Sequence, residues 1–501
     1  MLKDKISKEI KRAVAEVSKG EEGFEFKVSE PERSENGDFF TNAAFSLSRK
    51  LKKPPQEVAE SLALRLRRGR YTLIERSEAK NGFVNIFLKD SVLISTLEEK
   101  ISFPKREEKI NVEFVSANPT GPLTMANGRG GFYGDVLSNI LAKVGYDVTR
   151  EYYINDAGNQ VRLLGESIEA AEGKREVKEE YYQGGYIKEL MGKSTEEAIQ
   201  KLLGEIQSSL EKAGIKFDVW FSEEKNLRET KEFDKTLYDF EKRGLLEKRD
   251  GAVWFGDRVF VKSNGDPTYL LIDIAYLRNK LIERKFDKAI IILGADHHAE
   301  ALQVKKGIAA LGIEPGRLKI LILQLVRLMS KGEEVRMSKR AGAFVTLDEL
   351  LEQIPIDVAR WFFLEKALST HMDFDLDLAK EKSEKNPVYY VQYAHTRMAS
   401  ILAKSNLEAK LPTAFGHAAE RNLIMKVLRY QDLIEEVSKD YQVHRLTTYA
   451  YELAQTFSAF YRDVKVVGSE REAELLYLVS KTKETLADLL SLLEISRPEK
   501  M

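Results

Sequence analysis

The sequence changes period at Lys109. KINVEFVS alternates as a strand does, SANPTGPLTMANGRGG follows as a Gly- and Pro-rich turn, and FYGDVLSNILAKVG reads as a helix stopped by Gly145. Strand, turn and helix in that order build a parallel α/β sheet. A second strand, YDVTREYYI, follows directly. Residues from about 165 to 240 read as a charged helical insertion. The sheet then resumes with KAIIILGADHH and LKILILQLVRLM. Before this core, residues 1–108 read as a small α+β unit. FEFKVSEP and NGFVNIFL alternate there, a helix starts at Asp38 or Thr41, and polar FPKREEK closes the unit. After about Asn386 only helical period remains. The expected fold class is α/β, with a Rossmann-type parallel-sheet domain over 109–385, a domain of 1–108 before it and an all-α bundle over 386–501.

Composition narrows the chemistry. A chain of 501 residues exceeds one ordinary core, which fits three domains. There is no cysteine, so disulfides, thiolate nucleophiles and Cys-based zinc sites are excluded and a reducing, cytoplasmic setting is expected. The first residues, MLKDKISKEIKRAV, form an amphipathic charged stretch rather than an apolar export signal, and no apolar run reaches membrane-spanning length. Net charge is −1, so nucleic acid could be attracted only by local basic patches.

Two segments are suited to phosphate. The turn between Glu113 and Asp135 delivers backbone N–H groups and a helix N-terminus to one point. EVRMSKRAG, Glu334–Gly342, sets cations around a short loop after the last sheet strand, where they could neutralise a polyphosphate. Either alone reads equally well as a plain connection or a solvated charge run. Their joint presence in this order is more specific.

The strings SANPTGP, GRG, YINDAGNQ, FDVWFSE, DIAY, GADHH, RMSKRAGAFVTLDEL and NPVYYVQYAH, taken in order, resemble arginyl-tRNA synthetases. The resemblance extends to the early GDFFTNAAFSLSRKL, similar to that family's N-terminal tRNA-binding domain, and to the late FYRDVKVVG of its anticodon-binding bundle. It implies an arginine–tRNA ligase. ATP, brought with Mg²⁺, would activate arginine to arginyl-adenylate, and the arginyl group would pass to the 3′ end of tRNA(Arg). No enzyme nucleophile is needed, only positioning and stabilisation of phosphate charge. A monomer without membrane association is expected.

Site residues follow from the same matches. Class I synthetases usually carry His-x-Gly-His at the phosphate turn, where this chain has Thr124, Met125, Ala126 and Asn127. Thr and Asn can still hydrogen-bond phosphate or ribose, whereas the methyl of Ala126 would crowd adenine. The second signature stands as Arg336, Met337, Ser338, Lys339 and Arg340, with Lys339 on the pyrophosphate. Thr124, Asn127, Arg336 and Lys339 are the expected catalytic residues. Gly128, Arg129, Asp296 and His297 join Thr124, Ala126, Asn127, Met337, Ser338 and Lys339 around ATP. The adjacent His298 borders the same turn, and a metal site at Asp296–His298 is the weaker alternative.

Guanidinium is permanently charged and fits a carboxylate as a bidentate fork. The matches supply Asp273, with Tyr269 one helical turn before it, and Glu223. Asp273 lies in an apolar run, where an unpaired charge would be costly. Glu113, Ser116 and Asn118 would take the α-amino end. Asn155, Asp156 and Gln160 lie at a strand's carboxyl end, beside the site or simply as turn and helix-face residues. The clusters Arg49–Lys53 and Arg65–Arg70 could meet tRNA phosphates or be solvated helix faces. Tyr389, Tyr390, Gln392, Tyr393 and His395 could meet anticodon bases, although Tyr389 and Tyr393 have the spacing of core residues. Two other readings are open. One is a weakened synthetase-like protein that binds tRNA or arginine without charging, and the other is a different nucleotidyltransferase.

Overall fold

The computed structural model describes all residues except 21–22, 32, 69–70, 296–297 and 336–344. At its centre is a five-stranded, wholly parallel sheet. Its strands, across the sheet, are Leu318–Leu323, Lys288–Gly294, Lys109–Glu113, Asp147–Ile154 and Val219–Ser222. The chain lays down Lys109–Glu113 first, builds outward to one edge, then returns to build the other. The order therefore reverses between Lys109–Glu113 and Lys288–Gly294, leaving a crevice at their carboxyl ends.

The helix after the first strand begins at Met125, not near Phe132, so the Gly-rich run belongs to the helix rather than to the turn. Close packing is the reason. A Cβ on Gly134 would sit 2.2 Å from the ring of Phe114, and one on Gly131 would meet Ile215 Cδ1 at 2.7 Å. Bare backbone lets this helix lie directly on the switch-point strand. The expected insertion is also not purely helical. It contributes Val219–Ser222, an edge strand pairing with Glu151–Ile154. A small antiparallel sheet over residues 246–261 went unread, its strands too short to show a period.

The N-terminal unit is a four-stranded antiparallel sheet with helices Leu2–Val17, Ala43–Leu51, Pro55–Arg68 and Asp90–Leu97. Its helix starts at Ala43 with Asn42 before it, later than Asp38 or Thr41, and FEFKVSEP yields only the two-residue strand Val28–Ser29. Asp38 instead holds domains together. Its carboxylate accepts from Arg421 at 2.6 and 2.8 Å and from the Leu88 N–H at 2.7 Å. The C-terminal region consists of long helices Pro387–Lys404, Ala418–Asp440, His444–Asp463 and Glu472–Leu492. Among the described residues no helix is long and apolar enough to cross a membrane.

The helix Ala418–Asp440 docks on the N-terminal helix Leu2–Val17 through charge. Lys3 Nζ reaches Glu436 at 2.6 Å and the Lys3 N–H donates to Asp432 at 3.3 Å. Burial pushes the Asp432 carboxyl up to about 6, against the pull of that N–H and Arg429. Because the folded value lies above the unfolded one, Asp432 favours the fold at low pH. This contribution is lost as pH rises through about 6. Asp432→Asn should therefore raise stability at pH 7.5 by about 1–3 kcal/mol, with the gain vanishing toward pH 4, as read by urea unfolding at both pH values.

Candidate active site

Everything at the crevice starts from a bend that L-residues resist. After Glu113 the chain turns through Val115 at φ 67° and Ser116 at φ 39°, left-handed values that are costly for a β-branched residue. Buried Phe114, pressed against Gly134, anchors the turn, and the Ser116 N–H closes onto Phe114 O at 2.9 Å. The bend turns the following residues into the mouth of the crevice. There the Ser116 hydroxyl donates to Glu113 Oε1 at 3.2 Å and accepts from the Tyr153 N–H at 3.0 Å. Asn118 Oδ1 accepts from Asn155 Nδ2 at 3.2 Å.

These residues line a cleft of about 750 Å³. The helix Tyr269–Arg278 adds to the lining, and Tyr269 and Asp273 both open onto the cleft, as their spacing predicted. Glu113, Ser116, Asn118, Asn127, Asn155 and Gln160 line it too. Among the lining residues that sequence reasoning passed over are Thr120, Tyr153, Tyr182, Tyr276, Leu293 and Glu300. A signal existed for Tyr276, which falls on the face already marked by Tyr269 and Asp273.

Glu223 lies elsewhere. Its side chain is 4% exposed, with Oε1 held by Arg228 at 2.7 and 3.0 Å and Oε2 accepting from the Tyr153 hydroxyl at 2.8 Å. It lines a neighbouring cleft and stands behind Tyr153. Burial, with the Glu223, Asp273 and Glu113 carboxylates, pushes the Tyr153 phenol well above its usual value, so it stays a hydrogen-bond donor. Asp156 likewise serves the fold, accepting from the Ser222 hydroxyl at 2.6 Å and the Glu224 N–H at 3.0 Å.

At the phosphate turn, Thr124 caps the helix Met125–Lys143. Asn127 Oδ1 accepts from the Thr124 N–H at 2.9 Å and hydroxyl at 2.8 Å. That reciprocal cap commits the Asn127 oxygen at the edge of the cleft. Ala126 is half-buried beside it. Gly128 faces Leu347, whose Cδ1 would lie 2.8 Å from an added Cβ. The expectation for Arg129 is corrected. Its side chain is fully buried, donating to Gln324 O at 3.0 Å, Ala367 O at 2.9 Å and Thr370 O at 3.0 Å. Burial pulls its pKa down to about 10. This guanidinium ties the catalytic core together and does not reach the cleft.

Asp296, His297 and the signature Arg336, Met337, Ser338, Lys339 and Arg340 lie outside the described residues. Both flanks of the signature are fixed. Val335 pairs with Leu328, and on the other side Met125 N–H donates to Val345 O at 3.1 Å and Leu347 N–H to Leu123 O at 2.9 Å. The second phosphate segment thus ends paired to the first.

Farther away, Gln392 and His395 are buried. Gln392 Nε2 donates to Asp357 Oδ2 at 2.9 Å, and His395 Nδ1 lies 3.0 Å from Pro498 O. Tyr389 and Tyr390 are half-buried, and Tyr393 alone of that group is 50% exposed. Arg49, Lys50, Lys52, Lys53, Arg65, Arg67 and Arg68 are all exposed.

Comparison with known proteins gives the same picture. Three family models match: the arginyl tRNA synthetase N terminal domain over residues 2–88, the class I (R) tRNA synthetase catalytic domain over 170–375 and the DALR anticodon binding domain over 391–501. The chain is 41% identical to an arginine–tRNA ligase of Carboxydothermus hydrogenoformans, covering 96% of this chain and 95% of that one. With the arginine–tRNA ligase of Bacillus subtilis it shares 37% identity over 100% and 99% of the two chains. The solved arginyl-tRNA synthetase of Thermus thermophilus shares the fold, with a TM-score of 0.81 at 23% identity and full coverage of both chains. The chain belongs to the arginyl-tRNA synthetases, class I ligases that join arginine to tRNA at the expense of ATP.

Proposed function

We propose that the cleft at the sheet's switch point is where arginine is activated, with its guanidinium on Asp273 and Tyr269 and its α-amino end on Glu113, Ser116 and Asn118. One observation carries this reading: the two groups open onto the same cleft. Asp273 offers the bidentate carboxylate that a guanidinium requires, and the Tyr269 ring offers a face for it to lie on. Glu223 acts at one remove, by holding the Tyr153 hydroxyl.

ATP lies along the Thr124–Asn127 turn, its phosphates near the helix N-terminus and its Mg²⁺ bound through phosphate oxygens. Lys339 and Arg336 neutralise charge growing on pyrophosphate as it leaves. In the first step the arginine carboxylate oxygen attacks the α-phosphorus and the bond to pyrophosphate breaks, giving arginyl-adenylate. In the second, a terminal ribose hydroxyl of tRNA attacks the arginyl carbonyl carbon and AMP departs. No enzyme group is acylated. Residues 1–108, 109–385 and 386–501 act as tRNA-binding, catalytic and anticodon-binding domains of a cytoplasmic monomer.

On the bundle, exposed Tyr393 accepts a second role from its surroundings. Arg397 donates to its hydroxyl at 2.8 Å and lies 5.0 Å from the ring centroids of both Tyr393 and Tyr461. Aromatic faces beside a guanidinium suit an unpaired base, so this patch is our candidate for reading the anticodon. The basic faces at Arg49–Lys53 and Arg65–Arg68 suit phosphate.

Purified protein given ATP, tRNA and labelled arginine should form acid-stable arginyl-tRNA, and none with lysine. Tight tRNA binding without charging would favour the binding-only reading instead. Asp273→Asn should raise KM for arginine about 10- to 100-fold, as expected for a lost charged hydrogen bond, with KM for ATP unchanged. Tyr393→Ala should raise KM for tRNA several-fold while leaving KM for arginine as it is, measured in the same assay.

A further inference from the structure

Beneath the cleft lies a cluster of charges that this chemistry does not use. Lys280 is fully buried, with Nζ 2.5 Å from Glu113 Oε2 and 3.3 Å from Glu151 Oε1. The same ammonium stands 4.1 Å from the centre of the Tyr276 ring, and the Tyr276 hydroxyl donates to Glu151 Oε1 at 2.6 Å. Arg284 pairs with Glu151 Oε2. Two cations thus meet two carboxylates. Stability alone does not call for such an arrangement, since apolar residues of similar volume serve a core as well or better.

Position supplies the missing reason. Tyr269, Asp273, Tyr276 and Lys280 follow one another on a single helix face. The first three line the cleft, and Lys280 lies just beyond, in the π-helical turn Asn279–Glu283 that continues the helix. That wider turn shifts the register by a residue, as such turns often do at functional sites. Lys280 therefore ties the helix that meets the guanidinium to the strand whose Glu113 meets the α-amino end. The remaining Glu113 oxygen receives the Ser116 hydroxyl at 3.2 Å.

We infer that Lys280 is a positioning residue for substrate: its ion pair fixes the Glu113 carboxylate in place, so that the α-ammonium of arginine is received at a set distance from Asp273. This rests on the assignment of Glu113 to the α-amino end. Without Lys280, the groups left facing Glu113 are the Glu151 carboxylate, the Tyr276 and Tyr153 phenols and the Ser116 hydroxyl. None of these is a cation, so no ion pair among them would hold the Glu113 carboxylate in place.

The test compares the full-length protein with Lys280→Met, Glu113→Gln and the double variant, measuring KM for arginine and for ATP in tRNA charging. Lys280→Met should raise KM for arginine more than 10-fold and leave KM for ATP unmoved. The double variant should be no worse than Glu113→Gln, because Lys280 acts through Glu113. An unchanged KM in Lys280→Met, with Glu113→Gln impaired, would overturn the inference and leave the Glu113 assignment standing. An unchanged KM in Glu113→Gln would overturn that assignment, and the inference with it. If Lys280→Met does not fold, Lys280→Arg is read instead. It keeps the charge but alters the reach, so KM for arginine should rise at a wild-type melting temperature, and a wild-type KM refutes positioning.

Discussion

The direct contact between the helix Met125–Lys143 and the strand Lys109–Glu113 is the constraint from which the rest of this site follows. Where Gly134 leaves room for the ring of Phe114, strand and helix can be joined by a bend as sharp as that at Val115 and Ser116. A side chain at Gly134 would force the layers apart. The bend would then relax, and Ser116 and Asn118 would leave the mouth of the crevice. The strain of a β-branched residue at φ 67° is on the order of 1–3 kcal/mol. It persists because the core around Phe114 determines the path on both sides.

Around this bend, charge is arranged in pairs that differ in what they do. Arg360 and Asp135, at 2.8 Å, and Arg129 with its three carbonyls fasten the catalytic core internally. Lys280 and Arg284 neutralise carboxylates under the cleft floor. Burial pushes Glu151 up, but Lys280 and Arg284 outweigh it and hold that carboxyl below its usual range. Arg228 occupies Glu223. Asp273 opens onto the cleft from the helix Tyr269–Arg278, with the Tyr153 and Tyr276 phenols pushed well above their usual range nearby.

Much of this was legible in the residues. The strand–turn–helix at Lys109, the helical tail after Asn386 and the shared face of Tyr269 and Asp273 each follow from period alone. Other features were hidden because local sequence does not carry their cause. The helix start at Met125 depends on glycines packing against a distant strand, so the run GRGG read as a turn. Val219–Ser222 is an edge strand set among helices, too short to announce itself. Arg129 and Glu223 matched motif positions, yet which way a long charged side chain turns is decided by its partners: carbonyls from residues 324, 367 and 370 for one and Arg228 for the other. Nothing in the local sequence singles out Lys280; its partners Glu113 and Glu151 come from distant strands. Asp296, His297 and residues 336–340 lie outside the described residues.

The most direct measurement is a crystal structure of the protein with arginine and a non-hydrolysable ATP analogue bound. The guanidinium should lie within hydrogen-bond distance of both Asp273 carboxylate oxygens, with the α-ammonium between Glu113, Ser116 and Asn118 and the Glu223–Arg228 pair intact. An arginine whose guanidinium sits on Glu223 with Arg228 displaced, or one bound away from Asp273 altogether, would contradict the account.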